Sequence, residues 1–249
     1  METYQALLST LALTMGVSWA SGINLYAALL VLGIGGATGN IDLPPGLQTL
    51  ADPMVIFAAG LMYFVEFFVD KTPGVDTGWD TLHTFIRIPA GAMLAAGAVG
   101  DVTPALEIAA GIMGGGLAAT SHLTKAGTRA IINTSPEPFT NWGASISEDL
   151  LVLAGLWTAL NHPLVFLLLL ILFIMLAIWL LPKIWRVLKA IARKIGQWLG
   201  MSKPPAAEPQ QPVDDQQLQQ LLALQTLRDA GSLTEEEFAA TKKKILGAG

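Results

Sequence analysis

The chain has 249 residues, of which 53% are hydrophobic and only 13% are charged, and its mean hydropathy is +0.54. Soluble domains carry about 25% charged residues, so this composition predicts an integral membrane protein. The net charge is −5, and the sequence has neither a basic domain nor a motif for reading nucleic-acid bases, so nucleic-acid binding has no support. The lack of cysteine excludes disulfides, thiolate metal sites and cysteine nucleophiles.

Six apolar segments follow one another along residues 1–182, where a membrane-spanning helix needs about 20 residues. The first and fourth segments are too long for one straight span, and both carry central glycines, such as Gly16, Gly22, Gly111 and Gly114. We therefore predict an all-α, polytopic helical membrane bundle of about six spans, with glycine-broken helices in these two segments. The segments cover residues 5–37, 52–70, 79–99, 104–132, 145–160 and 163–182.

Basic residues follow the sixth segment and set the predicted orientation. Five of them lie within residues 183–194, and lysine or arginine near a helix end favours the cytoplasmic side. Six spans then place both termini in the cytoplasm. Residues 183–200 are interpreted either as a basic amphipathic helix, with residues 183–199 on anionic lipids of the inner leaflet, or as a simple extension of the last span.

The C-terminal region has a different composition. Residues 201–214 are rich in proline and predict a flexible linker. Residues 215–249 predict a hairpin of two short helices, the first ending at Gly231 and the second starting with a capping box of Thr234 and Glu237.

Two predicted loops share a pattern. DKTPGVDTGW at 70–79 and NTSPEPFTNW at 133–142 each have an acidic or amide residue, then Ser/Thr-Pro, then Thr two residues before Trp. If spans one to three and four to six are related units, their odd number of spans makes an inverted repeat, as in many transporters. A chance match of two short loops is the alternative, and the sequence leaves both open.

Two segments carry ionisable residues where lipid tolerates almost none. In each, three such residues follow the spacing i, i+3, i+7, which forms one polar stripe on a helix. Charges within a membrane usually face a bundle interior or a wet cavity, so the stripes point to a functional region. They consist of Asp80, His83 and Arg87, and of His122, Lys125 and Arg129.

The three cations of the stripes have two interpretations. Arginine and lysine could bind a carboxylate or a phosphate, and a break in the fourth helix would add free backbone N–H groups near Thr120 and Ser121. Alternatively, the cations form structural ion pairs with Glu66 and Asp70, which lie at i and i+4 on the second segment.

The two histidines of the stripes are candidates for proton transfer or pH sensing, and with nearby carboxylates for a cation site, although no metal-binding spacing matches. The alternative is that they are hydrogen-bonded packing residues. Two of the carboxylates, Glu148 and Asp149, could instead cap the start of the fifth helix. The carboxylates concerned are Glu66, Asp70, Asp76, Asp80, Glu148 and Asp149.

Small polar residues lie at the predicted helix breaks. Ser18, Ser21 and Asn24 belong to the first helix, and Thr120 and Ser121 to the fourth. Such residues could line a pore or expose carbonyl groups to an ion, or they could form hydrogen bonds between tightly packed helices.

Several stretches resemble a bacterial integral-membrane family known only as a domain of unknown function. They are SGINLYA (21–27), LPPGL (43–47), FVEFFVDKTPGVDTGWD (64–80), HTFIRIPAG (83–91), GGGLAATSHLTKAGTR (114–129) and NTSPEPFTNW (133–142). The resemblance covers residues 5–162 and implies a compact multi-span protein of the bacterial inner membrane, with no activity or functional residues to carry over.

The tail resembles a different module. LQTLRDAGSLTEEEFAATKKKIL (224–246) is similar to the short C-terminal domain called SHOCT, a helical pair at the ends of many unrelated proteins. This resemblance implies a role in oligomerisation or in recruiting a protein partner. Together with the apolar last span, it leads us to expect a homo-oligomer.

Three functions remain open. The first is a small transporter or channel with a charged cytoplasmic-side vestibule, preferring an anionic solute or a lipid head group. The second is a scaffold or regulator that recruits partners through its tail, and the third is a lipid scramblase. Since nucleophile-elbow, zincin and P-loop spacings are missing, we expect no catalytic residue, metal or cofactor. The vestibule would be lined by Glu66, Asp70, Asp80, His83, Arg87, His122, Lys125 and Arg129.

Overall fold

The six apolar segments correspond to six helices in the computed structural model, which describes residues 2–72, 74–100, 102–134, 138–198 and 215–246. The all-α prediction is confirmed, since the described residues contain no strand. Four of the six helices begin at a proline, the residue whose fixed φ suits a first helical turn. The helices are α1 Glu2–Ala37, α2 Pro53–Val69, α3 Val75–Ala98, α4 Pro104–Ile132, α5 Pro138–Asn161 and α6 Pro163–Trp198, with a 3₁₀ helix at Pro45–Ala51 before α2.

Helix α1 consists of two halves that meet at Asn24. The backbone of Asn24 is extended (φ −143°, ψ 97°), and its Oδ1 accepts a hydrogen bond of 3.0 Å from the N–H of Ala27. This is the geometry of an N-cap, so Asn24 starts the second half-helix. The predicted break of the first segment is therefore at Asn24, whereas Gly16 and Gly22 lie within regular helix.

Helix α4 is continuous from Pro104 to Ile132, so the predicted glycine break in the fourth segment is wrong. Its glycines serve close packing instead. A Cβ on Gly114 would overlap Ala95 of α3, and a Cβ on Gly22 of α1 would overlap Ala118 and Ser121 of α4. Small residues at helix contacts allow two backbones to approach closely, which is what these positions require.

The last two membrane helices are longer than predicted. Helix α5 starts at Pro138 and not at 145, because the polar turn FTNWG is helical as well. Helix α6 continues through Pro182 to Trp198, so the described part of 183–200 extends the last span and is not a separate juxtamembrane helix. The predicted linker at 201–214 lies outside the described residues.

The distribution of side chains is the reverse of that in a soluble protein. All charged residues of α2, α3 and α4 except Glu107 are buried, while large apolar residues of the same helices are exposed. Examples of the exposed set are Phe57, Phe64, Phe85, Met93 and Ile112. Apolar side chains on the outside of a helical bundle match a lipid environment.

Among the described residues, three helices are long and apolar enough to cross a membrane: Thr3–Ala37, Phe139–Asn161 and Pro163–Gly196. The 3₁₀ helix and α2, bent by 69° relative to each other, make a fourth if the pair is one span. Helices α3 and α4 carry the polar stripes, which lower their hydropathy. The number of six spans stays a prediction.

Contacts divide the chain into two compact units, Met1–Ala192 and Arg193–Gly249. In the first unit, α1 lies against α2, α3, α4 and α5, and Trp19 packs edge-on against Phe166 and Phe173 of α6. In the second unit, helices α7 (Asp215–Asp229) and α8 (Glu235–Leu246) form the predicted hairpin, and Gly231 takes the positive φ of +73° that its turn requires.

Candidate functional site

Eight ionisable side chains from four segments meet in one buried cluster, which we call the charge network. It forms because α3 and α4 are antiparallel. Thr84 lies 2.8 Å from His122, and Ile88, four residues later in α3, lies against Gly115, seven residues earlier in α4. The network consists of Glu66 and Asp70 at the end of α2, Asp76, Asp80 and Arg87 of α3, Lys125 and Arg129 of α4, and Glu148 of α5.

Arg87 is completely buried and joins α2 to α3. Its Nη2 lies 2.6 Å from Oε1 of Glu66, and its Nη1 lies 3.1 Å from Oδ1 of Asp80. The same Nη1 is 3.4 Å from Nδ1 of His122. The guanidinium of Arg87 is therefore occupied by two carboxylates.

Lys125 lies at the centre of the network. Its Nζ donates a hydrogen bond of 2.8 Å to Oδ2 of Asp70. Oxygens of Glu148, Glu66 and Asp80 lie 3.3, 3.5 and 3.8 Å from the same Nζ. One ammonium group is thus surrounded by four carboxylates, of which two come from the end of α2, one from α3 and one from α5.

Arg129 joins α4 to α5 and to the end of α2. Its Nε and Nη2 donate to the two carboxylate oxygens of Glu148, at 2.9 and 2.8 Å. Its Nη1 donates to the backbone oxygen of Asp70 at 2.9 Å and to Oδ1 of Asn141 at 2.6 Å. Every nitrogen of this guanidinium is hydrogen-bonded within the protein, and Arg129 is fully buried.

The charges of the network do not balance. Five carboxylates (Glu66, Asp70, Asp76, Asp80 and Glu148) face three cations, which leaves two negative charges in excess when all the groups are ionised. One oxygen of each of the first four carboxylates is buried without a hydrogen-bond partner among the described residues. The network therefore has capacity for additional positive charge or for protons.

The two similar loop segments meet at one corner of the network. Asn133, at the end of α4, donates hydrogen bonds to Asp76 at 2.7 Å and to Thr77 at 2.8 Å. Asn141 donates to Oδ1 of Asn133 at 3.1 Å. The shared pattern therefore places polar residues of both segments in mutual contact, although residues 135–137 lie outside the described part of the chain.

The histidines of the stripes are held by hydrogen bonds. Nδ1 of His83 bonds the backbone oxygen of Trp79 at 2.9 Å, and its Nε2 lies 3.0 Å from the hydroxyl of Tyr26. Nδ1 of His122 faces Arg87, which has only donors, so this nitrogen is an acceptor. These contacts favour packing histidines over a proton path through both rings.

The polar residues at the predicted breaks have different environments. Nδ2 of Asn24 donates to Asp149 at 2.9 Å, and Ser21 donates to the backbone oxygen of Arg87 at 2.9 Å. The hydroxyls of Thr120 and Ser121 bond carbonyl oxygens of their own helix. Because α4 is unbroken there, these two residues offer no free N–H groups to an anion, and that expectation is wrong.

Two side chains belong to the site that the sequence interpretation left out or misplaced. The alternative that Glu148 caps the fifth helix is wrong, because Glu148 lies ten residues after the first residue of α5 and pairs with Arg129. Asn141 is 1% exposed and bonds the same guanidinium. The signal for Asn141 was its place in the shared loop pattern.

Within the described residues, no group of three or more His, Cys, Asp or Glu side chains has the arrangement of a metal site. Comparison with curated proteins finds no match, and neither does comparison with solved structures. Residues 11–183, which include all of the charge network, match the family described as "Domain of unknown function (DUF4126)". The chain therefore belongs to the DUF4126 family.

Proposed function

We propose that this protein is a small membrane transporter or channel whose ion path includes the charge network. The observation that carries the proposal is the placement of eight ionisable groups, with unequal numbers of each sign, among helices that are apolar outside. A buried ion pair is a weak source of stability compared with apolar packing, and ionisable groups within a membrane usually mark an ion or substrate pathway.

The proposal includes six membrane spans in the bacterial inner membrane, with both termini in the cytoplasm. Helices α3 and α4, of 24 and 29 residues, are about 36 and 44 Å long, which exceeds a hydrocarbon core of about 30 Å. Apart from Glu107 in the first turn of α4, which is exposed, their charges are buried, and large apolar side chains lie on their exposed faces. The basic residues after Pro182 favour the cytoplasmic side and contact with anionic lipids.

The geometry supports a cation or a proton better than the anionic solute or lipid head group preferred from the sequence. Each of the three cations has a carboxylate oxygen within 2.8 Å, so none presents a free charge to an anion. The excess of carboxylates points the same way. His83 and His122 are adjacent to the proposed path as supporting residues.

Reconstitution of the full chain into liposomes tests the proposal. We expect passage of protons or a monovalent cation through the wild-type protein and its loss in Arg129→Gln protein that is still folded. Deletion of residues 215–249 should have little effect. A folded wild-type protein that passes none of the ions tested would refute the proposal. Transfer of labelled lipid between leaflets without ion flux would indicate the scramblase alternative.

A second candidate is a non-transporting membrane scaffold or regulator, because each of the three cations has a carboxylate partner and the tail forms its own helical hairpin. In this case the SHOCT-like hairpin would mediate homo-oligomerisation or recruit a partner. Deleting residues 215–249 would then abolish function, and Arg129→Gln would act only through stability.

The inverted repeat stays a prediction. It is supported by the matching loop pattern, whereas the corresponding first helices differ, since α1 is broken at Asn24 and α4 is continuous. Neither candidate function depends on the repeat.

A further inference from the structure

The environment of Lys125 resembles that of a bound cation more than that of a simple ion pair. An ammonium group has three N–H donors, yet four carboxylates lie within 3.8 Å of Nζ, and the hydrogen bond at 2.8 Å to Asp70 is the shortest of these contacts. The other three surround the nitrogen at longer distances. A single salt bridge would need only one of them.

The carboxylates around Lys125 also have unused capacity. Glu66 and Asp80 each direct one oxygen towards Nζ or Arg87, while Oε2 of Glu66 and Oδ2 of Asp80 are buried without a hydrogen-bond partner among the described residues. Both side chains are at most 1% exposed. Buried carboxylate oxygens without a partner are costly unless they meet a cation or a donor, so these two oxygens offer sites for a cation in addition to Lys125 and to Arg87, which also pairs with both carboxylates.

We propose that the four carboxylates around Lys125 form a binding site for ammonium or a small primary alkylammonium ion, and that the Lys125 ammonium is a tethered occupant of this site. The chemical match is direct, because such an ion carries the same N–H donors as Nζ. Lysine is suited to the role, since its compact charge sits on a flexible stem and can leave the site without a backbone change. The assignment rests on the proposed function, for which it names the substrate class.

The test uses the full-length protein in detergent, with Lys125→Ala to remove the tethered ammonium and Lys125→Met to remove the charge while filling the space. Methylammonium chloride is the probe, and tetramethylammonium chloride at the same concentration controls for ionic strength, because it has no N–H group. The measured quantity is the Tm of unfolding.

We expect Lys125→Ala to lower Tm, and methylammonium but not tetramethylammonium to raise it again, with Tm rising logarithmically once the ligand exceeds its Kd. Lys125→Met should show no such recovery, and adding Asp70→Asn to Lys125→Ala should remove it. Folded Lys125→Ala whose Tm is indifferent to methylammonium would overturn the proposal.

Wild-type protein gives a second measurement in case Lys125→Ala does not fold. Methylammonium in excess should compete with Nζ and raise the wild-type Tm, and Asp70→Asn should abolish this effect. Identical Tm values in methylammonium chloride and tetramethylammonium chloride would overturn the site.

Uptake of labelled methylammonium into liposomes separates the two proposals. Recovery of Tm without uptake supports the site and refutes transport, whereas uptake of other ions without recovery supports transport and refutes this site.

Discussion

Arg129 and Glu148 form a bidentate ion pair, with Nε–Oε1 and Nη2–Oε2 distances of 2.9 and 2.8 Å. Two parallel N–H···O bonds fix the orientation of both side chains as well as their distance. The pair therefore sets the register of α4 against α5 at the point where Arg129 also bonds the end of α2.

Breaking this pair on one side should destabilise the protein strongly. Arg129→Gln removes both guanidinium hydrogen bonds from the Glu148 carboxylate and leaves it only the contact of 3.3 Å with Lys125. Loss of one member of a buried pair costs about 3–5 kcal/mol. The double variant Arg129→Gln/Glu148→Gln should recover part of the loss, because it removes both charges. Unfolding in detergent, followed by circular dichroism, measures the change in the free energy of unfolding for each single variant and for the double variant.

Arg186→Gln, an exposed arginine of α6, is the matched control and should leave the free energy of unfolding within about 0.5 kcal/mol of wild type. Equal losses in Arg129→Gln and Arg186→Gln would show that the bidentate pair contributes nothing specific.

Substitutions of Asn24 should separate its two hydrogen bonds. Asn24→Ser keeps a capping oxygen for the second half of α1 but loses the donor to Asp149, whereas Asn24→Ala loses both. We expect Asn24→Ala to cost about 1–2 kcal/mol and Asn24→Ser less. Asn24→Asp keeps the cap but places a carboxylate beside Asp149, so it should be worse than Asn24→Ser. If all three variants unfold at the same temperature, the cap is unimportant.

Two glycine-to-alanine variants should have opposite effects. Gly22→Ala forces a methyl group against Ser121 and the backbone oxygen of Ala118, and overpacking of this kind costs about 1–3 kcal/mol. Gly116→Ala has open space around the new Cβ and should be neutral or stabilising by up to about 1 kcal/mol, since alanine is the better helix former. Thermal unfolding of the two proteins side by side gives the comparison, and a loss in Gly116→Ala as large as in Gly22→Ala contradicts it.

The hairpin of α7 and α8 should loosen in acid. Hydrogen bonds from the backbone N–H and the hydroxyl of Thr234 hold the pKa of Glu237 below its ordinary value. A carboxylate with a lowered folded-state pKa stabilises the fold above its unfolded pKa, and this contribution is lost as pH falls through the folded pKa. The protection factors of the amides at the start of α8 in the full chain, which compare each exchange rate with that of an unfolded peptide at the same pH, should therefore fall below about pH 4. In Glu237→Gln, which does not titrate, this fall should be absent.

Hydropathy predicted the six apolar helices because the apolar residues of each helix lie close together in the sequence and raise the mean hydropathy of that segment. The spacing i, i+3, i+7 predicted that Lys125 lies on a polar face directed into the bundle, where it forms an ion pair of 2.8 Å with Asp70. Their role as a substrate vestibule stays a prediction. The start of α5 was placed seven residues too late because FTNWG is polar enough to resemble a loop, and this concealed the position of Glu148.

Other parts of the site lie beyond local sequence patterns. The spacing of His83 shows which face of α3 it occupies, but it contains nothing about Tyr26, which lies 57 residues away in the chain. The glycines of α4 illustrate a second limit. A glycine can mark either a break or a close approach of two helices, and only the neighbours Ala95 and Ser18 show that Gly114 belongs to the second class.

The order of the charges along the chain has a consequence for biosynthesis. Glu66 precedes Arg87 by 21 residues, and Asp70 precedes Lys125 by 55. At ordinary translation rates of about 5–20 residues per second, Asp70 is made about 3–11 s before its partner. Glu66 and Asp70 are therefore synthesised before the cations that pair with them, while Lys71 directly follows Asp70, and synthesis of α4 completes the two ion pairs.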